Sequence, residues 1–309
     1  MSHRFGFKRA ICYSGFRDGQ SPDLGKYPSV EEIRSDLMML KDHWSALRLY
    51  ACDEHARRVL TVIREENLDF TVMLGAYIGA ELSNPLCPWG GVHSQAVLVD
   101  NQRRNVEELS RAASWANEFQ DIVDVVSVGN EATVDWTDHL VDPKTVERYA
   151  RELKAKIPQP VTFCENYVPW LDKLVDLAGT VDLISIHTYP VWEYKTIDEA
   201  LSFTIENYRA VKEKHPDKPI IVTEAGWTTQ SNGEGIPKDH VSEAAQARYL
   251  SELLEWARDE DVLVYVFEAF DENWKGSDHP LEPEKHWGIY NGSREPKLAA
   301  QLSLGSIWN

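Results

Sequence analysis

Short runs of apolar residues alternate along this chain with longer stretches in which apolar and charged positions recur at helical spacing. The short runs are almost continuously apolar, which is typical of parallel strands that are buried on both faces. This pattern predicts eight strands, at 10–13, 46–50, 70–75, 123–130, 161–165, 181–187, 219–224 and 262–269.

Helix start signals mark the longer stretches between these runs. Ser29 is followed three positions later by Glu32, which is the spacing of a capping box, and Thr196 is followed in the same way by Glu199. Pro143 stands at a position where a first helical residue is expected. The predicted helices cover 29–43, 53–67, 100–119, 142–156, 196–215 and 242–261, with a shorter helix near 170–178.

Eight strands that alternate with helices over 309 residues predict an α/β fold, a (β/α)8 TIM barrel formed as one domain over residues 1–309. A doubly wound open sheet would usually carry a glycine-rich phosphate turn after an early strand, and the sequence has none. The longest irregular stretches, 76–94, 225–241 and 271–288, each follow a predicted strand. In a barrel they lie on the carboxyl-terminal face, where active sites are found.

The acidic charge of the chain narrows the range of its partners. The formal net charge is −18 and the pI is near 5.0, so binding to nucleic acid or to an anionic membrane is disfavoured. No stretch approaches the roughly 18 apolar residues of a membrane span, and the amino-terminal residues lack the apolar segment of a signal peptide. We expect a monomer that is either cytoplasmic or an exported protein whose signal is not in this chain.

Polar side chains stand where most of the predicted strands end. The fourth strand runs into Asn130 and Glu131, and the seventh ends at Glu224. One such residue is often half of a structural ion pair, but the carboxyl ends of all strands in a barrel meet at a single mouth. The other strand-end residues are Tyr13, Arg48, Tyr50, Glu165, Asn166, His187, Tyr189, Glu268 and Asp271.

Two carboxylates in a polar, aromatic-rich cleft suit the cleavage of a glycosidic bond. One carboxylic acid protonates the leaving oxygen, while the other carboxylate attacks the anomeric carbon or activates water. The fourth and seventh strands lie three steps apart around an eight-stranded ring, so Glu131 and Glu224 are expected to face each other across the mouth. The 11 Trp and 12 Tyr residues also fit a sugar-binding cleft, because flat aromatic faces pack on the apolar faces of sugar rings.

Four groups of motifs resemble glycoside hydrolase family 17, the β-1,3-glucanases and β-1,3-glucanosyltransferases of the retaining clan A. The motifs are RLY at 48–50, VGNE at 128–131, TEAGW at 223–227, and FEAFDENWK at 267–275 with EKHWGIY at 284–290. They occur in the family's order and extend over nearly the whole chain. The residues around 268–273 and the stretch RLYACDEH depart from the plant pattern, so the chain is more similar to bacterial or fungal members.

The resemblance implies a retaining enzyme that cleaves β-1,3-glucan of the laminarin type through a covalent glucosyl-enzyme intermediate. It implies that Glu131 is the acid/base, that Glu224 is the nucleophile, and that the Asn130 amide binds the sugar 2-hydroxyl. It also places a polar cluster after the eighth strand around the nucleophile and the sugar. The expected substrate-binding residues, including that cluster, are Tyr13, Arg48, Tyr50, Asn130, His187, Tyr189, Trp192, Trp227, Glu268, Asp271, Glu272, Lys275 and Glu284.

Several of these residues also have a purely structural interpretation. Arg48 either orients Glu224 and keeps it ionised, or it forms a core ion pair that only stabilises the barrel. His187 is either a ligand of the sugar or a hydrogen-bonded core residue. Trp192, Trp227 and Trp274 are the expected stacking platforms for sugar rings, with Trp227 as the main one, and the alternative is that they fill the large core.

The functional alternatives also stay open at this point. Water as the acceptor gives hydrolysis, whereas a sugar acceptor gives a glucanosyltransferase through the same intermediate. Other members of the clan act on mannan, xylan or galactan, and a glycan-binding barrel without activity is a further alternative. The expected partner is a β-glucan polysaccharide or oligosaccharide, and the mechanism requires no metal and no other cofactor.

The four cysteines form no CxxC pair and are expected to be free thiols.

Overall fold

Parallel strands form the centre of the part of the chain that this computed structural model describes, residues 2–303. The strands are β1 (Arg9–Cys12), β2 (Ala46–Arg48), β3 (Thr71–Ala76), β4 (Val123–Asn130), β5 (Val161–Asn166), β6 (Ile184–Thr188), β7 (Ile220–Ala225) and β8 (Val264–Val266). Each strand pairs with the next, and β8 pairs with β1 to close the barrel. The predicted (β/α)8 fold and all eight predicted strands are thus confirmed.

Helices surround the barrel and connect its strands. They are α1 (Val30–Leu40), α2 (Glu54–Glu65), α3 (Gln95–Glu118), α4 (Pro143–Lys154), α5 (Tyr167–Leu171), α6 (Val175–Thr180), α7 (Ile197–Lys214), α8 (Glu243–Asp259) and α9 (Leu298–Ser303). Short 3-10 turns occur at Ser2–Phe5, Lys238–His240 and Pro283–Lys285. Across residues 2–303, none of the helices has the length and apolar character that crossing a membrane requires.

The predicted helix start signals are present as hydrogen bonds. Ser29 accepts from the backbone N–H of Glu32 at 3.1 Å, and the Glu32 carboxylate accepts from the Ser29 N–H at 2.7 Å. Two other boundaries differ from the prediction. α3 starts at Gln95 rather than at 100 and is capped by Ser94. The prediction missed the first turns of this helix because they expose apolar residues, which breaks the amphipathic pattern. The single helix expected near 170–178 is divided into α5 and α6.

The carboxyl end of β4 is kinked where the strand meets the mouth of the barrel. Gly129 has φ of +82° and Glu131 has φ of +43°, both in the left-handed region. A Cβ atom at position 129 would lie 2.7 Å from Cδ1 of Ile78, so the site requires glycine for space as well as for conformation. The ladder between β4 and β5 is irregular over the same residues. The kink turns the Glu131 side chain out of the strand's alternation and towards the mouth.

The four cysteines, Cys12, Cys52, Cys87 and Cys164, are all buried and unpaired with one another. This confirms the expectation of free thiols. Cys12 and Cys164 stand on β1 and β5 beneath the mouth of the barrel, where they contribute to the packing of its interior.

We predict that Ser29→Ala lowers the free energy of unfolding by about 1 kcal/mol, because it removes the side-chain acceptor of the α1 cap. The measurement is the midpoint of urea denaturation followed by circular dichroism. Ser110→Ala is the matched control, since Ser110 is exposed in the middle of α3 and alanine favours a helix. A loss of stability in the control equal to that at position 29 would contradict the capping role.

Candidate active site

Strands β4, β6 and β7 bring three titratable side chains together at the carboxyl-terminal mouth of the barrel. His187 Nδ1 lies 2.9 Å from Glu131 Oε1 and 3.4 Å from Glu224 Oε2. These three atoms all lie within 4.8 Å of one another. The two glutamates that the sequence singled out therefore face each other, and a histidine from β6, the neighbour of β7, bridges them.

Glu224 is a buried carboxylate that is surrounded by donors and positive charge. Arg48 Nη1 forms an ion pair with its Oε1, and the Tyr189 hydroxyl donates to its Oε2 at 2.5 Å. Burial by itself raises the pKa of Glu224, but the positive charges of His187 and Arg48, together with the hydrogen bonds from Tyr189 and Arg48, lower it to about 2. The group is therefore an ionised carboxylate across the neutral range, with its oxygens fixed in place.

Glu131 has a different environment from Glu224. Its side chain is 27% exposed, whereas that of Glu224 is 7% exposed, so Glu131 is accessible to solvent and to a bound ligand. The backbone N–H of Glu131 donates to the carbonyl of Cys164 on β5 at 2.9 Å. The turn that follows is held by Glu165, whose carboxylate accepts from the N–H and the hydroxyl of Thr133 at 2.9 and 2.7 Å.

His187 is fully buried and carries positive charge between the two carboxylates. Burial lowers the pKa of an imidazole, but the negative charge of Glu224, a hydrogen bond with Cys164, and the hydrogen bond and charge of Glu131 raise the pKa of His187 to about 10. Its Nδ1 takes part in the contacts to the glutamates. Its Nε2 is buried and has no nitrogen or oxygen partner among the described residues.

Arg48 connects Glu224 to the end of β4. Its Nη2 donates to the side-chain Oδ1 of Asn130 while Nη1 holds Glu224. The guanidinium also lies over the ring of Tyr50, 4.4 Å from the centroid. The Tyr50 hydroxyl is buried and has no nitrogen or oxygen partner within residues 2–303, so it can donate to a ligand in the mouth. Arg48, Tyr50 and Asn130 are thus brought to the site as expected.

A second polar cluster follows β8. Lys275 Nζ lies 3.0 Å from Glu268 Oε2 and 2.5 Å from Glu272 Oε2. Ser14 and the indole N–H of Trp274 also donate to Glu272. Burial outweighs the charge of Lys275 at Glu268 and raises the pKa of that carboxyl, whereas Lys275 and the hydrogen bonds overcome burial at Glu272 and lower its pKa. One ammonium group therefore binds both carboxyl groups of this cluster.

Glu284 lies between this cluster and the two strand-end glutamates. Burial raises its pKa to about 7, the charge of Lys275 opposes this rise, and the negative charges of Glu131 and Glu224 add to it. The predicted residues Glu268, Glu272, Lys275 and Glu284 therefore lie in one electrostatic unit with the mouth of the barrel.

Two of the predicted aromatic residues border the mouth through Trp287. The Tyr189 ring packs edge-on against Trp287 with centroids 5.0 Å apart, and against Phe267 at 5.6 Å. The ring of Trp192 lies 6.4 Å from that of Trp287, and the residue is half-buried. The tight aromatic packing fixes the Tyr189 hydroxyl that holds Glu224.

The structure does not bring three of the predicted substrate-binding residues into this group. Trp227 is fully buried, its indole N–H donates to the carbonyl of His240 at 3.0 Å, and its ring packs against Tyr249 of α8. No face of this ring is open to a sugar. The expectation that it is the main stacking platform is therefore wrong, because the loop after β7 folds back over the helix layer.

The side chains of Tyr13 and Asp271 also form their hydrogen bonds away from the two glutamates. The Tyr13 hydroxyl is fully buried and donates to Asp36 of α1 at 3.2 Å, so it does not border the mouth. Asp271 accepts from Lys297 Nζ at 2.7 Å and from the Gly288 N–H at 2.9 Å. Both residues stabilise the loops around the mouth rather than contacting the glutamates.

Sequence reasoning missed a residue that supports Asn130. His139 Nε2 lies 2.7 Å from the carbonyl oxygen of Asn130, and its Nδ1 lies 2.7 Å from the Asp138 carboxylate. The ring also packs against Tyr77 at 5.4 Å. His139 stands in an irregular loop after β4, where no periodic pattern marks it, so only the folded loop identifies it.

Comparison with known proteins shows which family the sequence of this chain matches. Residues 10–288 match the BtgE/BtgC glycoside hydrolase domain. The glucan 1,3-beta-glucosidase of Arthroderma benhamiae is 22% identical over 94% of this chain and 91% of that protein. The probable glucan endo-1,3-beta-glucosidase btgC of Aspergillus clavatus is 25% identical over 92% of this chain, which spans 41% of that longer protein. These matches confirm the resemblance that the motifs indicated.

Solved structures agree with the fold. An endo-laminarinase from Formosa Hel1_33_131 superimposes with a TM-score of 0.82 at 25% identity, covering 97% of this chain and 88% of that chain. A β-1,3-glucanosyltransferase of Rhizomucor miehei superimposes with a TM-score of 0.73 at 21% identity, covering 97% of each chain, and supports the fold alone.

We predict that Arg48→Met lowers the free energy of unfolding at pH 7 by roughly 3 kcal/mol, because it leaves the Glu224 carboxylate buried without its main ion-pair partner. Thermal unfolding of the two proteins measures the difference. Arg248→Met is the control: its ion pair with Asp198 is exposed, so its loss costs less than about 1 kcal/mol.

Repeating this experiment at low pH tests how the ionisation of Glu224 contributes to the free energy of unfolding. The pKa of Glu224 is lowered to about 2 in the folded protein and is about 4.3 in an unfolded chain. Its ionisation therefore stabilises the fold above about pH 4.3, and this contribution is lost as the pH falls towards 2. The difference between the wild type and Arg48→Met should shrink over this interval, and a constant difference would contradict the assignment.

Proposed function

The chain belongs to the BtgE/BtgC glycoside hydrolase domain family, and from this membership we propose that it cleaves β-1,3-glucan with retention of configuration. Glu224 is the proposed nucleophile and Glu131 the proposed acid/base. The observation that carries the proposal is the approach of the two carboxylates, which have one oxygen each within 4.8 Å of the other. Retaining enzymes hold their carboxyl groups about 5 to 5.5 Å apart, whereas inverting enzymes leave room for a water molecule between them.

In the first step an oxygen of Glu224 attacks the anomeric carbon while the bond from that carbon to the leaving oxygen breaks. Glu131 donates its proton to the leaving oxygen, which departs as a hydroxyl group of the shortened glucan. The buried, ionised state of Glu224 supports its role as nucleophile, because a carboxylate with a low pKa does not compete for that proton. The partial exposure of Glu131 supports its role in proton transfer.

In the second step Glu131 acts as the base. It removes a proton from a water molecule, whose oxygen attacks the anomeric carbon and displaces Glu224 as a free carboxylate. Replacing that water by a sugar hydroxyl gives transfer instead of hydrolysis, with the same bonds made and broken. Arg48 and Tyr189 hold the departing carboxylate in position, which supports its return to the ionised state.

The proposed substrate class is supported by similarity to proteins named for their action on β-1,3-glucan. The chain is 25% identical to an endo-laminarinase over most of both chains and 22% identical to a glucan 1,3-beta-glucosidase over most of both chains. A β-1,3-linked glucan is therefore the substrate class that these relatives support, and hydrolysis is the proposed reaction. Transfer to a second glucan is the alternative, since both outcomes share the glucosyl-enzyme intermediate.

The test is a product time course on laminarin and on short β-1,3-gluco-oligosaccharides. We predict release of shorter oligosaccharides by the wild type and a loss of kcat by a factor of roughly 10⁴ or more in Glu224→Gln. Glu255→Gln on the outer face of α8 is the control and should retain full activity. Products longer than the starting oligosaccharide would assign transfer, and activity only on mannan, xylan or galactan would overturn the substrate class.

A pH profile tests the role of Tyr189. In Tyr189→Phe the ring still packs against Trp287, but the hydrogen bond that helps to lower the pKa of Glu224 is lost. Because the nucleophile must be ionised, the acidic limb of kcat/KM should move to higher pH by about one unit, the equivalent of one hydrogen bond to a charged group.

The control for this profile is Tyr194→Phe, since the Tyr194 side chain is 67% exposed and faces solvent. Its acidic limb should coincide with that of the wild type. An unchanged limb in Tyr189→Phe would show that the Tyr189 hydroxyl does not tune the nucleophile.

A further inference from the structure

The donor atoms at the mouth are arranged as the ligands of a metal ion would be. Glu131 Oε1 and Glu224 Oε2 lie 2.9 and 3.4 Å from His187 Nδ1, and all three atoms lie within 4.8 Å of one another. Ligands that surround a tetrahedral metal with bonds of about 2.0 to 2.1 Å lie about 3.3 Å apart. The two distances from His187 Nδ1 are close to this spacing, so the imidazole and each carboxylate already stand at the separation of neighbouring metal ligands.

The three ligands are supported by rigid elements. They come from the ends of β4, β6 and β7, and His187 is fully buried. Glu224 is oriented through both of its oxygens, with Arg48 on Oε1 and Tyr189 on Oε2. Such outer contacts are what fix the ligands in protein metal sites.

The chemistry of the donor set selects the class of ion. One imidazole nitrogen and two carboxylate oxygens suit Zn²⁺ and neighbouring transition metals, whereas Mg²⁺ and Ca²⁺ prefer six or more oxygen ligands. Two features limit the affinity. In the part of the chain that the structure describes, Nε2 of His187 has no nitrogen or oxygen acceptor, although a metal-bound histidine normally donates from its second nitrogen. Arg48 already offsets the charge of Glu224.

We propose that Glu131, His187 and Glu224 form a reversible binding site for a divalent transition-metal ion, and that the ion excludes the sugar when it is bound. The metal would take the position next to His187 Nδ1 that a proton otherwise occupies, so metal ions and protons compete for this nitrogen. Metal binding itself does not depend on the function proposed above. The consequence for activity rests on that function, because the ion would occupy the oxygens of both proposed reacting carboxylates.

Direct binding is the first test. Zn²⁺ is titrated into the protein by calorimetry, and the visible absorption of Co²⁺ gives a second signal for ligation. The expected result is one bound Zn²⁺ per chain, with at least tenfold weaker binding in His187→Gln and in Glu131→Gln. The second variant is included because Glu131 is partly exposed and its replacement should not disturb the buried core.

The matched control is His43→Gln, because His43 lies in the connection between α1 and β2, at the opposite end of the barrel. Its Zn²⁺ affinity should equal that of the wild type, and Mg²⁺ at equal concentration should not displace Zn²⁺. Equal Zn²⁺ affinity in the wild type, His187→Gln and Glu131→Gln would overturn the proposed site.

Kinetics separate this proposal from the proposed function. If the chain cleaves laminarin, Zn²⁺ should raise the apparent KM and leave kcat unchanged, as expected for an ion that competes with the sugar. Site-specific Zn²⁺ binding without cleavage of laminarin would support the metal site and contradict the substrate. Cleavage of laminarin that Zn²⁺ does not inhibit would contradict the metal proposal and leave the function standing.

Discussion

The ion pair between Arg48 and Glu224 is the interaction on which the rest of the mouth depends. A buried carboxylate is costly unless it is paired and hydrogen-bonded. Here the partners come from β2 and β6, on either side of the barrel, so only a closed ring of strands brings them to β7. The same guanidinium fixes Asn130 on β4 and thereby aligns the two sides of the mouth.

The ion pair with Arg48 gives Glu224 a different environment from that of Glu131. Glu224 is enclosed by cations and donors and stays ionised. Glu131 stands on a kinked strand end with part of its side chain open, and its turn is held by Glu165 behind it. Two chemically identical side chains therefore acquire different electrostatic environments through burial and neighbours alone, which is the condition that pairs of catalytic carboxyl groups require. Lys275 organises a second set of carboxylates next to them in a similar way.

Most of the strand-end residues could be predicted because polar groups at the ends of apolar runs are conspicuous, and a barrel collects them at one mouth. Arg48, Tyr50, Asn130, His187 and Tyr189 were found in this way. Trp227 was misinterpreted since a residue type does not reveal which way a loop folds, and this loop turns its ring into the helix layer. His139 carries no local signal at all, because its contact with Asn130 exists only after the loop has closed.

The sequence by itself determined the eight strands, the order of strands and helices, and the two glutamates, because these depend on local periodicity and on residues adjacent to each strand. Only the tertiary structure decided how far apart the carboxylates lie, which of them is buried, and which polar residues are drawn away into other contacts, as Tyr13 and Asp271 are. The physical reason is that electrostatic environment and burial are set by groups distant along the chain. A pattern read along one segment carries no information about the charges that other segments place around it.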